Sequence, residues 1–459
     1  GPTLAVADVN SDGLEDLYIG GASGIPAQIL IQDKKGQFSP SNTTLLDKEK
    51  PYEDVDALFV DLNGDAALDL YVVSGGNEYP SNDFHYSDRV YLNDGRGNFT
   101  KGAIMGLART SGSVVKAEDV DADGDMDLFV AGRHVPHQYP SPATSMLLIN
   151  EGGQLVNKTE SFAPEFKHLG MVTDALWTDY DADGDPDLML SGEWMPLTIF
   201  NNQNGLLIKA TIPSFENTAG WWFSLASADI DGDGDPDYLA GNLGLNYKYK
   251  TGPENPFDVY YNDFDGNNKY DIVLGYYNQD KHFPLRGFSC SSEQVPILKS
   301  TFKKYDVFAS LQIEEVYGEE NLKQSLHYET QTFASHFIEN LGNGQFALSP
   351  LPYQAQLSSI NAFHIEDFNA DGQQDILAVG NLFVSEIETP RNDAGVGLFL
   401  QGKSGNNLQS IPVAESGFYT PLDAKKMAKI NIGGIAHILV ANNNDRLQLF
   451  KINSTDILK

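Results

Sequence analysis

The stretch Asp229-Ile230-Asp231-Gly232-Asp233-Gly234-Asp235-Pro236-Asp237 reads as a loop closed around one centre. Four carboxylates, those of Asp229, Asp231, Asp233 and Asp237, stand at loop positions 1, 3, 5 and 9, with Gly234 at position 6. Alternate residues of a tight loop can aim their oxygens inward, and glycine lets the chain turn sharply without a Cβ penalty. Hard oxygen donors at this spacing suit calcium, which takes roughly six to eight oxygens at about 2.3–2.6 Å. The D-x-D-x-D-G opening is that of an EF-hand loop, but its helices are missing. Phe223 to Ala228 upstream and Tyr238 to Ala240 downstream are short apolar runs of strand length. The stretch predicts a calcium loop at a strand-to-strand turn.

Six more copies follow the same rule. The first is Asp8, Asn10, Asp12 and Asp16, with Gly13 at position 6. The second, Asp61, Asn63, Asp65 and Asp69, puts Ala66 where glycine is expected, which marks a weaker or strained site. The third is Asp119, Asp121, Asp123 and Asp127, and the fourth is Asp179, Asp181, Asp183 and Asp187. The quoted stretch is the fifth. The sixth is Asp263, Asp265, Asn267 and Asp271, with Asn268 at position 6, a residue that tolerates a left-handed backbone. The seventh is Asp367, Asn369, Asp371 and Asp375. A last unit, Ala428 to Ile432 and His437 to Ala441, keeps two strands and has lost the acids.

Successive first aspartates lie 53, 58, 60, 50, 34 and 104 residues apart. Strand-rich units with periods of about 50–60 residues predict propeller blades of four strands. A second hairpin recurs between the loops, at Leu92 to Phe99, Ile149 to Gly153, Phe200 to Gly205 and Asn340 to Phe346. Asn, Asp and Gly there supply the positive φ that hairpin turns need. The expected fold is all-β, a β-propeller of seven or eight four-stranded blades, with the motif count favouring eight. Residues 1–459 read as a single domain. The fifth unit offers no clear second hairpin. The sixth carries an insertion at about 278–331, with helical stretches at Val295–Lys304 and Ile313–His327.

The chain of 459 residues carries 30 basic and 64 acidic side chains, a formal charge of −34. Twenty-four carboxylates stand at the seven ligand sets, and seven calcium ions would bring the balance to about −20. Much of the acidity is thus assigned to metal, and the remainder argues against nucleic acid as a partner. Cys290 is the one cysteine, so no internal disulfide forms. No run of 18 apolar residues occurs, so no transmembrane helix is expected. Gly1-Pro2 reads as a cleavage scar, the mark of a piece excised from a longer chain. Several weak calcium loops used as structure point to the millimolar calcium found outside cells.

The repeated strand–loop–strand unit with its N-x-G-type turn resembles the FG-GAP/VCBS repeat of integrin α-subunits and many bacterial surface proteins. Gly241 to Asn246 and Glu388 to Gly395 are similar to segments of bacterial relatives of the cartilage acidic protein (ASPIC/UnbV-associated) group. The resemblance implies about seven structural calcium sites, a binding role and no catalytic residues. It also implies a cell-surface lipoprotein beside an outer-membrane nutrient importer of a Gram-negative bacterium. Partners would be other surface or outer-membrane proteins, or a glycan or peptide.

Two rivals stay open. A lectin-like propeller would use Trp194, Trp221, Trp222, Tyr247 and Tyr249 as stacking platforms, although such aromatics also fill space between blades. A polysaccharide-processing enzyme would need paired acids in a cleft outside the metal loops, and no such pair stands out in the sequence. His134 and His137 read as a solvated loop pair, and Glu386, Glu388 and Arg391 to Asp393 as an exposed loop. The insertion reads as a docking surface or as a lid on an incomplete blade.

Overall fold

Each aspartate loop is a hairpin whose two strands pair in one register. The residue before position 1 faces the aspartate at position 9, as in Ala7 opposite Asp16, Glu118 opposite Asp127 and Glu366 opposite Asp375. A computed structural model describes residues 2–103, 107–385 and 389–453. Glu386 and Glu388 of the expected charged loop, and Gly1 of the expected scar, lie outside the described residues.

The hairpins belong to eight antiparallel sheets. In seven of them the first strands touch in a closed series: Leu4–Ala7, Asp54–Val60, Ser111–Glu118, Met171–Thr178, Ser224–Ala228, Ile360–Glu366 and Ala424–Ile432, which returns to the first. These first strands line the axis of a ring, and the later strands step outward. Closure is apolar, with Leu4 and Leu17 packed on Ile430, Leu439 and Ala441. Buried aliphatic side chains of this kind contribute about 1.5–3 kcal/mol each.

The eighth sheet explains both the 34-residue spacing and the missing hairpin of the fifth unit. Ser224–Ala228 and Asp237–Gly241 pair onward with His336–Asn340 and Phe346–Pro350. Between the second and third of these strands runs a complete sheet, ordered Lys281–Pro284, Asp271–Asn278, Phe257–Asn262, Leu326–Thr330. It carries the sixth aspartate loop and lies off the ring. The expected seven or eight thus corresponds to eight sheets, seven of which close the ring. The last sheet has three strands among the described residues.

The insertion is shorter in helix than its apolar pattern predicts. Its helices are Phe288–Gln294, Ile297–Thr301, Tyr305–Phe308, Ile313–Tyr317 and Glu319–Lys323, and Leu326–Thr330 is strand. Their apolar residues Val295, Leu298, Phe308 and Ile313 bury Phe264 and Val273 of the inserted sheet, so the helices are its cover. No helix among the described residues is long and apolar enough to cross a membrane.

Candidate metal centres

Two left-handed residues shape each loop. Position 6 has positive φ at Gly13, Ala66, Gly124, Gly184, Gly234, Asn268 and Gly372, as the glycine pattern requires. Position 4 has it too, at Ser11, Gly64, Ala122, Ala182, Gly232, Gly266 and Ala370, a feature that the mixed residue types there conceal. Ala66 sits at φ 67°, so the second loop holds the strain expected of it.

The first aspartate clamps its own turn. Asp119 accepts the backbone N–H of Asp123 and of Gly124, both at 3.0 Å, and Asp179 does the same for Asp183 and Gly184 at 3.1 Å. Position 9 is buried and ties the loop to the blade. Asp127 accepts Val120 N at 3.0 Å and Asn150 N from the third strand at 2.7 Å. Asp187 accepts Tyr180 N at 3.4 Å and Asn202 N at 2.7 Å. Asp16, Asp69, Asp237 and Asp375 repeat this double bridge. Asp271, in the inserted sheet, accepts Phe264 N at 3.2 Å.

The carboxylates meet most closely where four acids or three acids and an asparagine leave no dilution at position 3. Asp119, Asp121 and Asp127 bring one oxygen each within 4.8 Å of one another, as do Asp179, Asp181 and Asp187, then Asp263, Asp265 and Asp271, and finally Asp229, Asp231 and Asp233 without Asp237. The first, second and seventh loops carry Asn10, Asn63 and Asn369 at position 3 and form no such triple among the described residues. Asp235, at position 7 of the fifth loop, is an acid that the spacing rule passed over.

These groups have the electrostatics of a cation site. Oδ1 of Asp121, of Asp181 and of Asp265 is buried with no hydrogen-bond partner, and all three stand at position 3. Burial pushes the carboxyls of Asp127, Asp237, Asp271 and Asp375 up to about 6 and that of Asp187 to about 7, and nearby aspartates add to the rise. Backbone N–H donors work the other way and do not cancel it. A divalent cation would supply the missing counter-charge, and an all-oxygen donor set suits calcium or magnesium.

The N-x-G turns carry a second function that their local pattern hides. Asn93, Asn150, Asn202 and Asn340 are buried, and each reaches back to the loop of the preceding blade. Their Nδ2 atoms donate to the position-2 carbonyls of Val9, Leu62, Val120 and Tyr180 at 2.7–3.1 Å. Each Oδ1 accepts a turn N–H, as from Gly205 to Asn202 at 2.7 Å. Since the same asparagines place their own N–H on the position-9 aspartates, consecutive loops are bolted together. Gln32 closes the series by donating to Asn431 O of the last blade at 2.9 Å.

The other candidates fall elsewhere. Trp222 is fully buried with Nε1 donating to Thr218 O at 2.9 Å, and Trp194, Trp221, Tyr247 and Tyr249 pack with Phe257 and Phe333 between the fourth blade and the inserted sheet. They are packing residues, not an open platform. His137 is exposed, whereas burial holds the His134 ring down to about 4. Asn392 is buried and donates to Leu243 O at 3.0 Å, so the two segments of the cartilage-acidic-type resemblance are in contact.

Residues 8–72, 61–130 and 179–240 match the FG-GAP-like repeat. No curated protein matches the chain. Among solved structures, a lectin from Agrocybe aegerita that recognises non-reducing terminal N-acetylglucosamine is 12% identical, with 98% of this chain and 94% of that chain covered at a TM-score of 0.46. The Vibrio cholerae (V. cholerae) biofilm matrix protein Bap1 is 12% identical, with 100% and 88% covered at 0.37. YCF48 from Cyanidioschyzon merolae is 9% identical, with 98% and 94% covered at 0.46. Residues 8–130 and 179–240 thus carry FG-GAP-like repeats, and the ring of sheets that holds them is a β-propeller.

Proposed function

We propose that this propeller is a calcium-stabilised binding module of the cell surface, without chemistry of its own. The observation that carries the reading is the recurring carboxylate cage with a buried, unpartnered oxygen at position 3 in three loops. Calcium would be held by the side chains at positions 1, 3, 5 and 9 and would neutralise carboxylates that burial otherwise disfavours. Weak loops of this type fill at the calcium concentrations found outside cells, which supports an exported location. The contact between Leu243 and Asn392 joins the two segments similar to the cartilage-acidic group. That likeness supports an outer-membrane nutrient-uptake complex as the setting.

The test is affinity capture from the envelope of the native host, with tagged protein in calcium. A β-barrel outer-membrane protein retained in calcium and released by EGTA is the expected result. Turnover of a polysaccharide or peptide by the pure protein would contradict the reading.

A further inference from the structure

The ring has a second distinctive end. The six aspartate loops of the ring all join a first strand to a second strand, so they share one face. At the opposite face, around the axis, lies a cavity of about 440 Å³. All seven blades contribute to its lining, from Pro2 of the first to Lys425 of the last, which places it on the axis.

Strand pairing is irregular at this level, and in the same way in four blades. The register between first and second strands skips one residue at Val55, Thr173, Asn361 and Lys425. Every one of these skipped residues lines the cavity. A bulge gives up regular ladder bonding and re-aims a side chain, and bulges concentrate where a site is built. Repetition around the axis shows that the irregularity shapes this cavity.

Its chemistry is mixed, and each of its cations is matched by a carboxylate. Arg133 pairs with Glu193, Lys425 Nζ lies 2.7 Å from Asp423 Oδ1, and Lys426 Nζ lies 3.0 Å from Asp56 Oδ1. With each cation already matched, an incoming anion would have to displace a carboxylate. Glu53 and Glu78 add acceptors, the neutral His134 ring adds a polar edge, and Asn361 has its amide oriented by Nδ2 donating to Asn381 O and Ala424 O. Val55, Phe223 and Leu382 supply apolar wall. A ligand that gains from donors and acceptors at once, and that has a C–H face to bury, is a polyhydroxylated ring. The volume falls within the range of about 300–1,000 Å³ of small-ligand sites.

We infer that the axial cavity binds a neutral saccharide of one to two rings, through Arg133, Asn361 and Glu78 with Phe223 as the apolar wall. This rests on the reading of the chain as a binding module and names its ligand class. It differs from the lectin-like alternative raised by the tryptophans, whose rings are packed away.

Saturation-transfer NMR of the calcium-loaded protein against a set of neutral and acidic mono- and disaccharides tests it. At least one neutral saccharide should give a signal, and Val55→Trp, which fills the cavity, should abolish it at an unchanged melting temperature. Glu78→Ala, at an exposed rim position, should weaken binding about tenfold, a loss of about 1.4 kcal/mol, and serves if Val55→Trp folds poorly. Signals that persist in both variants, signals from acidic sugars only, or none from any sugar would each overturn the inference. None of these outcomes bears on the calcium dependence of the fold, so the two claims fail separately.

Discussion

Replacing Asp187 by alanine should cost about 3–5 kcal/mol of stability in calcium, the range for breaking a buried charge pair. The side chain is fully buried and accepts N–H groups from Tyr180 and Asn202, so its loss strands two buried donors and would remove a ligand of the proposed cation. In chelator the cost should be smaller. Without an ion the Asp187 carboxyl is an unfavourable buried charge, as its rise to about 7 shows, and removing it relieves part of that penalty. Urea denaturation of wild type and Asp187→Ala, each with calcium and with EGTA, reads the difference. An equal loss in both conditions would mean that the aspartate acts only as a hydrogen-bond acceptor.

Asn202→Ala should cost about 2–6 kcal/mol, since it strands two buried groups and each costs about 1–3 kcal/mol. The truncation strands Val120 O of the preceding blade and Gly205 N of its own turn, both inside the packed ring. Because the bolt runs between blades, the variant should also lose cooperativity. Denaturation followed by tryptophan fluorescence, which reports the fourth blade, should part from denaturation followed by circular dichroism. A small loss with coincident transitions would show that the blades hold without it. The blade of the seventh loop provides a natural contrast, because Gly402 occupies the equivalent place and has no side chain to reach back.

The aspartate loops, the strands beside them and the N-x-G hairpins are legible in the sequence because each is local. Nine residues determine a loop, and alternation over four to eight residues marks its strands. What local pattern does not carry is which strand pairs with which. Tyr238 pairs with Ile338 across the entire inserted sheet, so the fifth unit looks truncated although its blade is complete. The asparagine bolts are equally concealed. Asn202 reads as a turn residue, yet the carbonyl that makes it structural is 82 residues away on another blade. The tryptophans are ambiguous for the opposite reason: composition shows aromatic rings that could stack or pack, but not that Trp222 is wholly enclosed. The axial cavity leaves no motif because its lining is gathered from seven separate units of the chain.

Calorimetric melting of the intact protein in millimolar calcium and in EGTA, with bound calcium counted by elemental analysis, addresses the central claim most directly. Filled loops should give several calcium ions per chain and a midpoint that falls by roughly 10 °C or more when calcium is withdrawn. A midpoint unchanged by EGTA, with no calcium bound, would contradict the claim that cations lock the ring.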